Sequence, residues 1–451
     1  MGLTSVPIYL YVQLVVLSKG KKWFYNKCWG GYPPQHFCVR IRKTSKRQWS
    51  DNHTWRCKKM HSHLIKELLN LEGVIVKKVS HSSEDVVIML ETKAKPQICP
   101  ACGAETGRIH DYRMQFVKDL PLQEKRCFLG LRKRRYVCTC GKRFMEKYPF
   151  LARYQQRTMR LTAYIAAELH SLQSVQAVAD RANVSAATVN RILDTVSFDR
   201  SSLGNALSID EFKGNADRQK FQCILTDPRK HRVLDILPSR ETVHLSQYFK
   251  QIPRQERLKV QYFSCDMCRP YAELAKVYFP AARIVIDRYH FTRQVFWALE
   301  NVRKDLQKSM SVSLRKYYKR SRSLITKRYA SLGEEQKKAC DIMLLYNDDL
   351  RRAHRLKERF LTIFGLNKFS EQRTAFLDWI EEAHCSGIRH FERCAATFSN
   401  WSHEILNSFR YDFISNGPTE GFNNKIKVLK RVSFGIKRFD RFRKRILLIT
   451  S

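Results

Sequence analysis

Short apolar segments that contain or end in an aspartate constrain the fold of this chain most. ALSIDEFKG holds Asp210, LKVQYFSCD ends at Asp266, and ARIVID ends at Asp287. Apolar runs of this length, separated by turn residues and by helical patterns, are typical of strands in an α/β sheet. Residues 205–290 are therefore predicted to alternate between strands and helices.

The order of these elements narrows the fold further. The segments KFQCILTD and RVLDILP flank the turn DPRK and predict two more strands, and the helix PYAELAKVYF separates the last two strands. Three strands in a meander, then a helix, a strand, a helix and a strand, is the order of a ribonuclease-H-like domain. In that fold the first strand lies beside the end of the fourth, so Asp210 and Asp266 are expected to converge.

The segment SNGPTEGFNNKIKVLKR, residues 415–431, supplies a third acid. Its helix follows a loop of Ser, Asn, Gly and Pro, carries Glu420 in its first turn and then becomes basic. Phosphodiester chemistry uses two Mg²⁺ ions about 3.5–4 Å apart, held by hard oxygen ligands. Asp210, Asp266 and Glu420 are the predicted catalytic residues and Mg²⁺ ligands. The predicted DNA contacts of this helix are Asn423, Asn424, Lys425, Lys427, Lys430 and Arg431.

The charge of the chain indicates a polyanionic partner. The 451 residues include 83 Lys and Arg against 42 Asp and Glu, a formal net charge of +41. Such an excess is typical of nucleic-acid-binding proteins. A ribosome-like or membrane-surface protein would also be basic, but the motifs favour DNA. The length allows two or three domains, and 43% hydrophobic residues exclude wholesale disorder.

Residues 1–59 differ from the rest of the chain. They contain 12 Lys and Arg, one acid (Asp51) and no sustained period of strand or helix. Two interpretations remain: an upstream extension that is not native, with the natural start at Met60, or a disordered basic arm that touches DNA. We favour the extension. The apolar run at 6–17 contains Pro7 and Gln13 and is too short to span a bilayer, so we expect neither an anchor nor a signal peptide.

Two close cysteine pairs predict a structural zinc site. CPACG and VCTCGKRF are separated by a strand-rich stretch, and two thiolate pairs can form a tetrahedral Cys₄ site. Four free structural thiols are the alternative. The pair Cys265 and Cys268 has no matching partner and is interpreted as small buried residues. The predicted zinc ligands are Cys99, Cys102, Cys138 and Cys140. The basic strand LRKRRY predicts phosphate contacts by Arg132, Lys133, Arg134 and Arg135.

The segment SVQAVADRANVSAATVNRIL, residues 174–193, predicts a helix-turn-helix. A turn at Asn183 and Val184 precedes Ser185, which is placed as the N-cap of the second helix. The apolar residues of that helix face back, and its small and polar residues point outward, as recognition in a major groove requires. An ordinary helical hairpin is the alternative. The predicted DNA-binding residues here are Ser185, Thr188, Asn190 and Arg191.

Together these motifs resemble a known family. SIDEF, SCDMCRPY, VIDRYHF and NGPTEGFNNKIKVLKR, behind the cysteine pairs and the helix-turn-helix, are similar to bacterial insertion-sequence transposases of the ISL-three family, which are DDE transposases. The resemblance covers residues 60–451. It implies binding of terminal inverted repeats and of target DNA, with metal-dependent strand cleavage and strand transfer. It further implies Mg²⁺ with Mn²⁺ as a substitute, a homo-oligomer of at least two copies on DNA, and a place at the nucleoid in the bacterial cytoplasm.

The middle acid of the triad has two candidates. Asp266 follows the fourth strand, where the fold places the acid. Asp287 belongs to DRYH, and related transposases with helical insertions carry a similar motif as an accessory element after the next strand. We therefore prefer Asp266 and keep Asp287 as the runner-up. His290 is then either an accessory contact to the scissile phosphate or a buried structural histidine.

The predicted organisation has three domains after the N-terminal segment. They are a zinc-finger domain at 60–150, a helix-turn-helix at 151–200, and a ribonuclease-H-like catalytic domain at 201–451 with a helical insertion at about 291–400. Asp227, Asp235 and Glu211 are interpreted as solvated surface carboxylates. Two other functions remain open. A non-catalytic regulator derived from a transposase would have lost an acid of the triad, and a structure-specific nuclease would need no helix-turn-helix.

Overall fold

The computed structural model describes residue 67, residues 69–451 and the backbone of two strands near the N-terminus. These strands, β1 (Leu14–Ser18) and β2 (Lys21–Tyr25), pair antiparallel. The chain divides into two compact units, residues 1–58 and 59–451. Apart from β1 and β2, the predicted extension at 1–59 and the predicted start at Met60 lie outside the described residues.

A five-stranded sheet built on a long hairpin opens the second unit. The strand order is β3-β4-β8-β7, with β9 paired to β8, and β5 and β6 form a separate small ladder. Alternate residues of β4 and β8, such as Ile88 and Leu129, are buried under Tyr148 and Phe150. The strands are β3 (Val74–His81), β4 (Asp85–Thr92), β5 (Gln97–Ile98), β6 (Glu105–Thr106), β7 (Ile109–Leu122), β8 (Lys125–Val137) and β9 (Arg143–Met145).

Three short helices follow, each with a side-chain N-cap that the sequence supplies locally. Thr158 caps α1 (Met159–Glu168), Ser174 caps α2 (Val175–Arg181), and Ser185 caps α3 (Ala186–Thr195). In α3 the residues Val189, Ile192 and Leu193 are buried against α1 and α2. The predicted N-cap at Ser185 is confirmed.

A second sheet of five strands forms the α/β core. Its order is β12-β11-β10-β13-β14; β10 pairs parallel with β13, β13 pairs parallel with β14, and the other pairs are antiparallel. This order confirms the predicted ribonuclease-H-like core. The elements are β10 (Ala206–Phe212), β11 (Gln222–Asp227), β12 (Arg232–Leu237), α4 (Thr242–Lys250), α5 (Arg254–Arg257), β13 (Tyr262–Cys265), α6 (Arg269–Tyr278) and β14 (Arg283–Ile286).

A run of helices follows β14 and separates it from the last part of the core. Its interior is aromatic, and Phe291, Phe360, Trp379 and Phe398 pack within one continuous cluster that also includes residues of the sheet. The elements are α7 (Arg288–Leu306), α8 (Val312–Arg320), α9 (Arg322–Thr326), a 3₁₀ turn (Tyr329–Ser331), α10 (Glu334–Leu345), α11 (Asp348–Ile363), α12 (Phe369–His384), α13 (Arg389–Asn400) and α14 (Ser402–Arg410).

The last two helices, α15 (Gly417–Val432) and α16 (Phe439–Thr450), cover one face of the core sheet. Phe212 on β10 packs in one cluster with Ile426 of α15 and Phe442 of α16, whereas Leu207 belongs to the cluster on the other face. Because side chains alternate along a strand, Asp210 shares the face of Phe212 and lies beside α15. Within the described residues, the structure contains no helix with the length and apolar character that a membrane span needs.

Candidate functional site

Asp210 lies within β10, two residues before its end, and is tied to α15. Its Oδ1 accepts a hydrogen bond from the backbone amide of Glu211 at 2.8 Å, and its Oδ2 accepts one from Nδ2 of Asn423 at 2.9 Å. Burial raises the pKa of Asp210 to about 7, and the nearby charges of Asp266 and Asp287 add to the effect. The two hydrogen bonds oppose this rise.

Asp266 and Asp287 follow the carboxyl ends of the parallel strands β13 and β14. The backbone amide of Asp287 donates to the carbonyl of Cys265 at 3.0 Å, so the two strand ends are held together. Burial raises the pKa of each carboxyl to about 6. For Asp266 the negative charge of Glu211 contributes, and for Asp287 that of Glu420. The carboxyl ends of neighbouring parallel strands are where open α/β sheets place their sites.

Glu420 completes the cluster from α15. It lies in the first turn, its side chain is 61% exposed, and its Oε1 is 3.5 Å from Nζ of Lys427. Asp210 and Glu420 line one cleft with a volume of about 580 Å³. Basic side chains line the same cleft, namely Lys213, Arg293, Lys427, Lys430 and Arg431.

The acids of the cleft fit a hard divalent cation. Oδ1 of Asp266 and Oδ1 of Asn423 are buried and have no hydrogen-bond partner. A buried oxygen without a donor is costly, and a cation removes that cost. The carboxylates are not drawn together as a closed set, because only the cysteine group described below, among the described residues, brings three or more candidate ligand atoms within 4.8 Å.

Asp287 differs from Asp266 in the partners of its carboxylate. It is the N-cap of α7 and accepts a hydrogen bond from the amide of Tyr289 at 3.4 Å, while its other oxygen is 3.6 Å from Nε2 of His290. The charge of Asp287 nevertheless reaches both Asp210 and Asp266, since it contributes to the raised pKa of each. The preference for Asp266 as the middle acid stays a prediction, and its partnerless oxygen favours it.

His290 is half-enclosed in the wall of the cleft. Its side chain is 18% exposed, and burial, together with the charge of Arg293, lowers its pKa to about 4. The imidazole is therefore neutral at physiological pH and can accept or donate a hydrogen bond without adding a charge.

The interpretation of Asp227, Asp235 and Glu211 as solvated carboxylates is wrong. Asp227 and Asp235 are only 1% and 4% exposed. Asp227 accepts hydrogen bonds from two amides of the DPRK turn, a turn signal that the sequence already contained. Asp235 accepts from Tyr248 and Arg443. Glu211 pairs with Arg240 at 3.0 Å and lines the cleft.

The four cysteines predicted as zinc ligands form one cluster. The Sγ atoms of Cys99 and Cys140 are 3.7 Å apart, and those of Cys102 and Cys138 are 3.5 Å apart. A tetrahedron with Zn–S bonds of 2.3 Å has edges of about 3.8 Å, so the cluster fits zinc. The backbone amide of Cys140 lowers the pKa of the Cys138 thiol to about 6, whereas hydrogen bonds with the other thiols raise the pKa of Cys102 to about 12.

The outward side of α3 carries the residues predicted to contact DNA. Ser185 and Arg191 are exposed, and Thr188 and Asn190 are partly exposed. Nη2 of Arg191 donates to Oγ1 of Thr188 at 3.2 Å, and the Ser185 hydroxyl accepts from the amide of Thr188. The helix thus presents a preformed polar surface on the side opposite its packed face.

Three family models match successive parts of the chain. A model described as a transposase, of the DDE type of the ISL3 family, matches residues 207–446, more than half of the sequence. The chain belongs to the ISL3 family of transposases. A model of the helix-turn-helix domain of transposase family ISL3 matches residues 146–197, and a model of the zinc-finger of transposase IS204/IS1001/IS1096/IS1165 matches residues 95–140.

A curated relative agrees with these matches. The transposase for insertion sequence element IS1001 from Bordetella parapertussis is 29% identical to this chain over 365 residues, which cover 78% of this chain and 88% of the relative. The resemblance stated from the sequence is confirmed. The chain is a transposase with a zinc ribbon, a DNA-binding helix-turn-helix and a DDE domain.

The basic strand β8 of this transposase has two faces. Arg132 is exposed and its guanidinium lies 3.9 Å from the centre of the Tyr112 ring. Arg134 is only 4% exposed and pairs with Glu146 at 3.2 Å, so its guanidinium is not available to a phosphate. We therefore remove Arg134 from the predicted contacts. Lys133, Arg132 and Arg135 retain partly or fully exposed positions.

The polar residues of helix α15 of the transposase are divided between an exposed face and a buried face. Asn424, Lys425, Lys427 and Arg431 are exposed, as a DNA-facing surface requires. Asn423 is 5% exposed and directed at Asp210, which makes it a positioning residue rather than a surface contact. The remaining member, Lys430, donates to the carbonyl of Lys213 and ties α15 to the end of β10. The sequence reading missed Lys213, Tyr289 and Arg293 as cleft residues.

Proposed function

We propose that this transposase cuts DNA at the terminal inverted repeats of an insertion sequence and joins the freed end to target DNA, with Asp210, Asp266 and Glu420 as catalytic acids. The observation that carries the proposal is the partnerless buried oxygen of Asp266, which directly follows β13, the strand paired with β10 and its Asp210. Asp210 and Glu420 line a cleft that also carries Lys213, Arg293, Lys427, Lys430 and Arg431. A structure-specific nuclease would not need the helix-turn-helix. A non-catalytic regulator could have lost an acid of the triad, but all three acids are present.

The residues in and beside the cleft would have three roles, which are metal binding, phosphate binding and positioning of a carboxylate. Asp210, Asp266 and Glu420 would hold Mg²⁺, or Mn²⁺ in its place, which activates the attacking oxygen and stabilises the leaving oxygen of a phosphodiester. Lys213, Lys427 and Arg431 would bind phosphates on both sides of the reacting bond. Asn423 fixes the orientation of the Asp210 carboxylate.

Two successive reactions follow from this chemistry. In the first, water attacks the phosphorus at the element end, and the bond to the 3′ oxygen breaks to leave a free 3′-OH. In the second, that 3′-OH attacks a phosphorus of the target strand, and the target's own 3′ oxygen leaves. No covalent bond between enzyme and DNA forms in either step. Because an element has two ends, we propose that at least two copies of the chain act together.

The N-terminal modules would select the DNA. We propose that α3 reads the inverted repeat in a major groove through Asn190 and Arg191, while Thr188 and the exposed basic residues of β8 bind its backbone. Structural Zn²⁺ at the four cysteines would hold the β8 module in shape. With these partners, we propose that the protein acts at bacterial DNA, in the nucleoid.

The test is cleavage of a duplex that carries the inverted repeat flanking the gene, in Mg²⁺ and in Mn²⁺. The wild type is compared with Asp210→Asn, Asp266→Asn, Asp287→Asn and Glu420→Gln. We expect nicking at the repeat end by the wild type, none by Asp266→Asn, and residual nicking by Asp287→Asn. If Asp287→Asn alone is inactive, Asp287 is the middle acid. If the wild type binds the repeat but never cuts, the chain is a DNA-binding regulator.

A further inference from the structure

One face of α7 leads out of the catalytic cleft and is built from two aromatic rings and an arginine. Tyr289, Arg293 and Trp297 are spaced by four residues, so they lie along one side of the helix. The Arg293 guanidinium is 5.3 Å from the centre of the Tyr289 ring and 4.5 Å from that of Trp297. We call these three residues the α7 ladder.

The rings of the α7 ladder are open to solvent. Tyr289 is 61% and Trp297 is 47% exposed, even though the guanidinium lies against both. Many aromatic residues of the helical region are inside, as Trp379 and Phe291 illustrate at 0%, whereas Tyr317 and Tyr346 are open at 40% and 52% but lie outside this face of α7. Exposed aromatic rings beside a cation are what proteins use to stack nucleic-acid bases.

The ladder connects two basic hollows. Tyr289 and Arg293 line the catalytic cleft, whereas Trp297 lines a second hollow of about 400 Å³. The other residues of that hollow are Glu300, Arg303, Lys304, Lys319 and Arg322, and the Glu300 carboxylate pairs with Arg303 and Arg322, which leaves Lys304 and Lys319 unpaired with it. The two rings are separated by about 12 Å along the helix, at 1.5 Å per residue. Neighbouring bases of a duplex strand are only about 3.4 Å apart, so the rings cannot stack on adjacent bases of an intact duplex.

We propose that the α7 ladder binds an unpaired stretch of one DNA strand as it leaves the catalytic cleft. Tyr289 and Trp297 stack on two bases turned out of the duplex, Arg293 binds the phosphate between them, and the second hollow receives the continuing backbone. The inference rests on the proposed function for the identity of the strand. It adds that DNA next to the cut is unpaired when bound.

The test measures binding of the full-length protein to a single-stranded oligodeoxynucleotide, without added Mg²⁺. An excess of an unlabelled duplex that carries the interior of the repeat but lacks its cleaved end occupies the helix-turn-helix and leaves the ladder free. We expect Trp297→Ala and Tyr289→Ala to weaken this binding about tenfold each, which corresponds to ~1.4 kcal/mol. Trp297→Phe should restore most of it. The matched control is Tyr346→Ala, since Tyr346 is 52% exposed on the same helical region but outside the ladder.

A second measurement needs no variant. Photo-crosslinking of the wild type to strands that carry 5-iododeoxyuridine, at each position around the repeat end, should give an adduct on Trp297 or Tyr289. Unchanged binding by both ladder variants, an equal loss in Tyr346→Ala, or adducts only on other helices would overturn the inference. Failure of the repeat duplex to be cut in Mg²⁺ would instead count against the proposed function, because neither measurement here depends on cleavage.

Discussion

Asn423 donates a hydrogen bond from its side-chain amide to Oδ2 of Asp210 over 2.9 Å, across 213 residues of sequence. The contact joins helix α15 to strand β10, and the same helix carries Glu420. It is supported by a second link, in which the Ser208 hydroxyl donates to the side chain of Asn416 just before the helix. The distance between the first and the last acid is thus controlled by polar contacts between the sheet and α15.

Asn423→Ala is expected to impair cleavage while leaving repeat binding intact. The substitution removes a hydrogen bond that lowers the pKa of Asp210, so the acid limb of the pH–rate profile should move to higher pH. We expect single-turnover cleavage at pH 7 to fall by about 10- to 100-fold. Asn424→Ala, one position along and exposed, is the control and should cut at nearly the wild-type rate. Equal losses in both variants would mean that the helix acts only through its surface.

The raised pKa values of the cleft acids predict a pH-dependent stability when no divalent metal is added. Folding raises the pKa of the Asp210 carboxyl from 3.8 to about 7. The protonated carboxyl therefore contributes its full stability to the fold below the unfolded-state pKa of 3.8, and this contribution is lost as the pH rises through about 7. Asp210→Asn removes this penalty. The Tm of the variant minus that of the wild type should therefore increase by a few degrees between pH 5 and pH 8. A difference that stays flat over this range would show that Asp210 is not held in a desolvated site.

The cysteine cluster predicts one zinc ion per chain. Cys99→Ser and Cys138→Ser should each lose most of the bound zinc by elemental analysis, because serine is a poor ligand for this soft site. Loss of the metal should unfold the β5–β6 ladder and weaken repeat binding. Cys385→Ser is the control, since Cys385 is an exposed thiol outside the cluster. Retention of zinc by both ligand variants would refute the assignment.

Local signals explain what the sequence predicted correctly. The helix-turn-helix was recoverable because Ser185 caps its helix through the amide of Thr188, three residues away. The core sheet was recoverable because short apolar runs and the turn at 227–230 lie in the order of a known fold. Both features depend on contacts within a few residues, which propensity and periodicity report directly.

Contacts between distant segments explain the failures. In the sequence, Arg134 is one of four basic residues in LRKRRY and nothing separates it from the others. In the structure it is buried, because it forms an ion pair with Glu146, which follows the next turn of the chain. The sequence predicts Asp235 as a surface acid, because its partner Arg443 lies 208 residues later, on α16, and donates a hydrogen bond to its carboxylate. A charged residue becomes buried only where the structure supplies an opposite charge or several hydrogen-bond partners, and composition cannot show that.

Recognition and backbone contacts should respond differently to mutation. Asn190→Ala is expected to reduce binding of the inverted repeat by about 10- to 100-fold and to leave binding of unrelated DNA unchanged, since an amide that reads a base edge carries sequence information. Lys133→Ala should weaken both duplexes equally and make the slope of log K against log salt shallower by about one. Titrations at several salt concentrations measure both. Identical behaviour of the two variants would remove Asn190 from base reading.

Arg445 is expected to hold the helix-turn-helix against the catalytic domain. It is 1% exposed, and its guanidinium donates to the carbonyls of Leu169, Ser171 and Gln173 at the end of α1. Arg445→Met fills a similar volume but leaves these acceptors without a donor, at a cost of about 1–3 kcal/mol for each that stays buried. Hydrogen exchange of the backbone amides in α1 and α2 should therefore become faster by at least about tenfold.

The matched control for Arg445 is Arg441→Met, one turn earlier on the same helix. Arg441 pairs with Asp194 at 2.6 Å near the surface, and such exposed pairs contribute little, about 0–1 kcal/mol. Its removal should change exchange in α1 and α2 by no more than a few-fold. Because α16 also packs on β12, loosened contact at Arg445 should spread the positions of cleavage on the repeat duplex without weakening its binding. A single sharp cut by Arg445→Met, with unchanged exchange, would show that the two domains are aligned by other contacts.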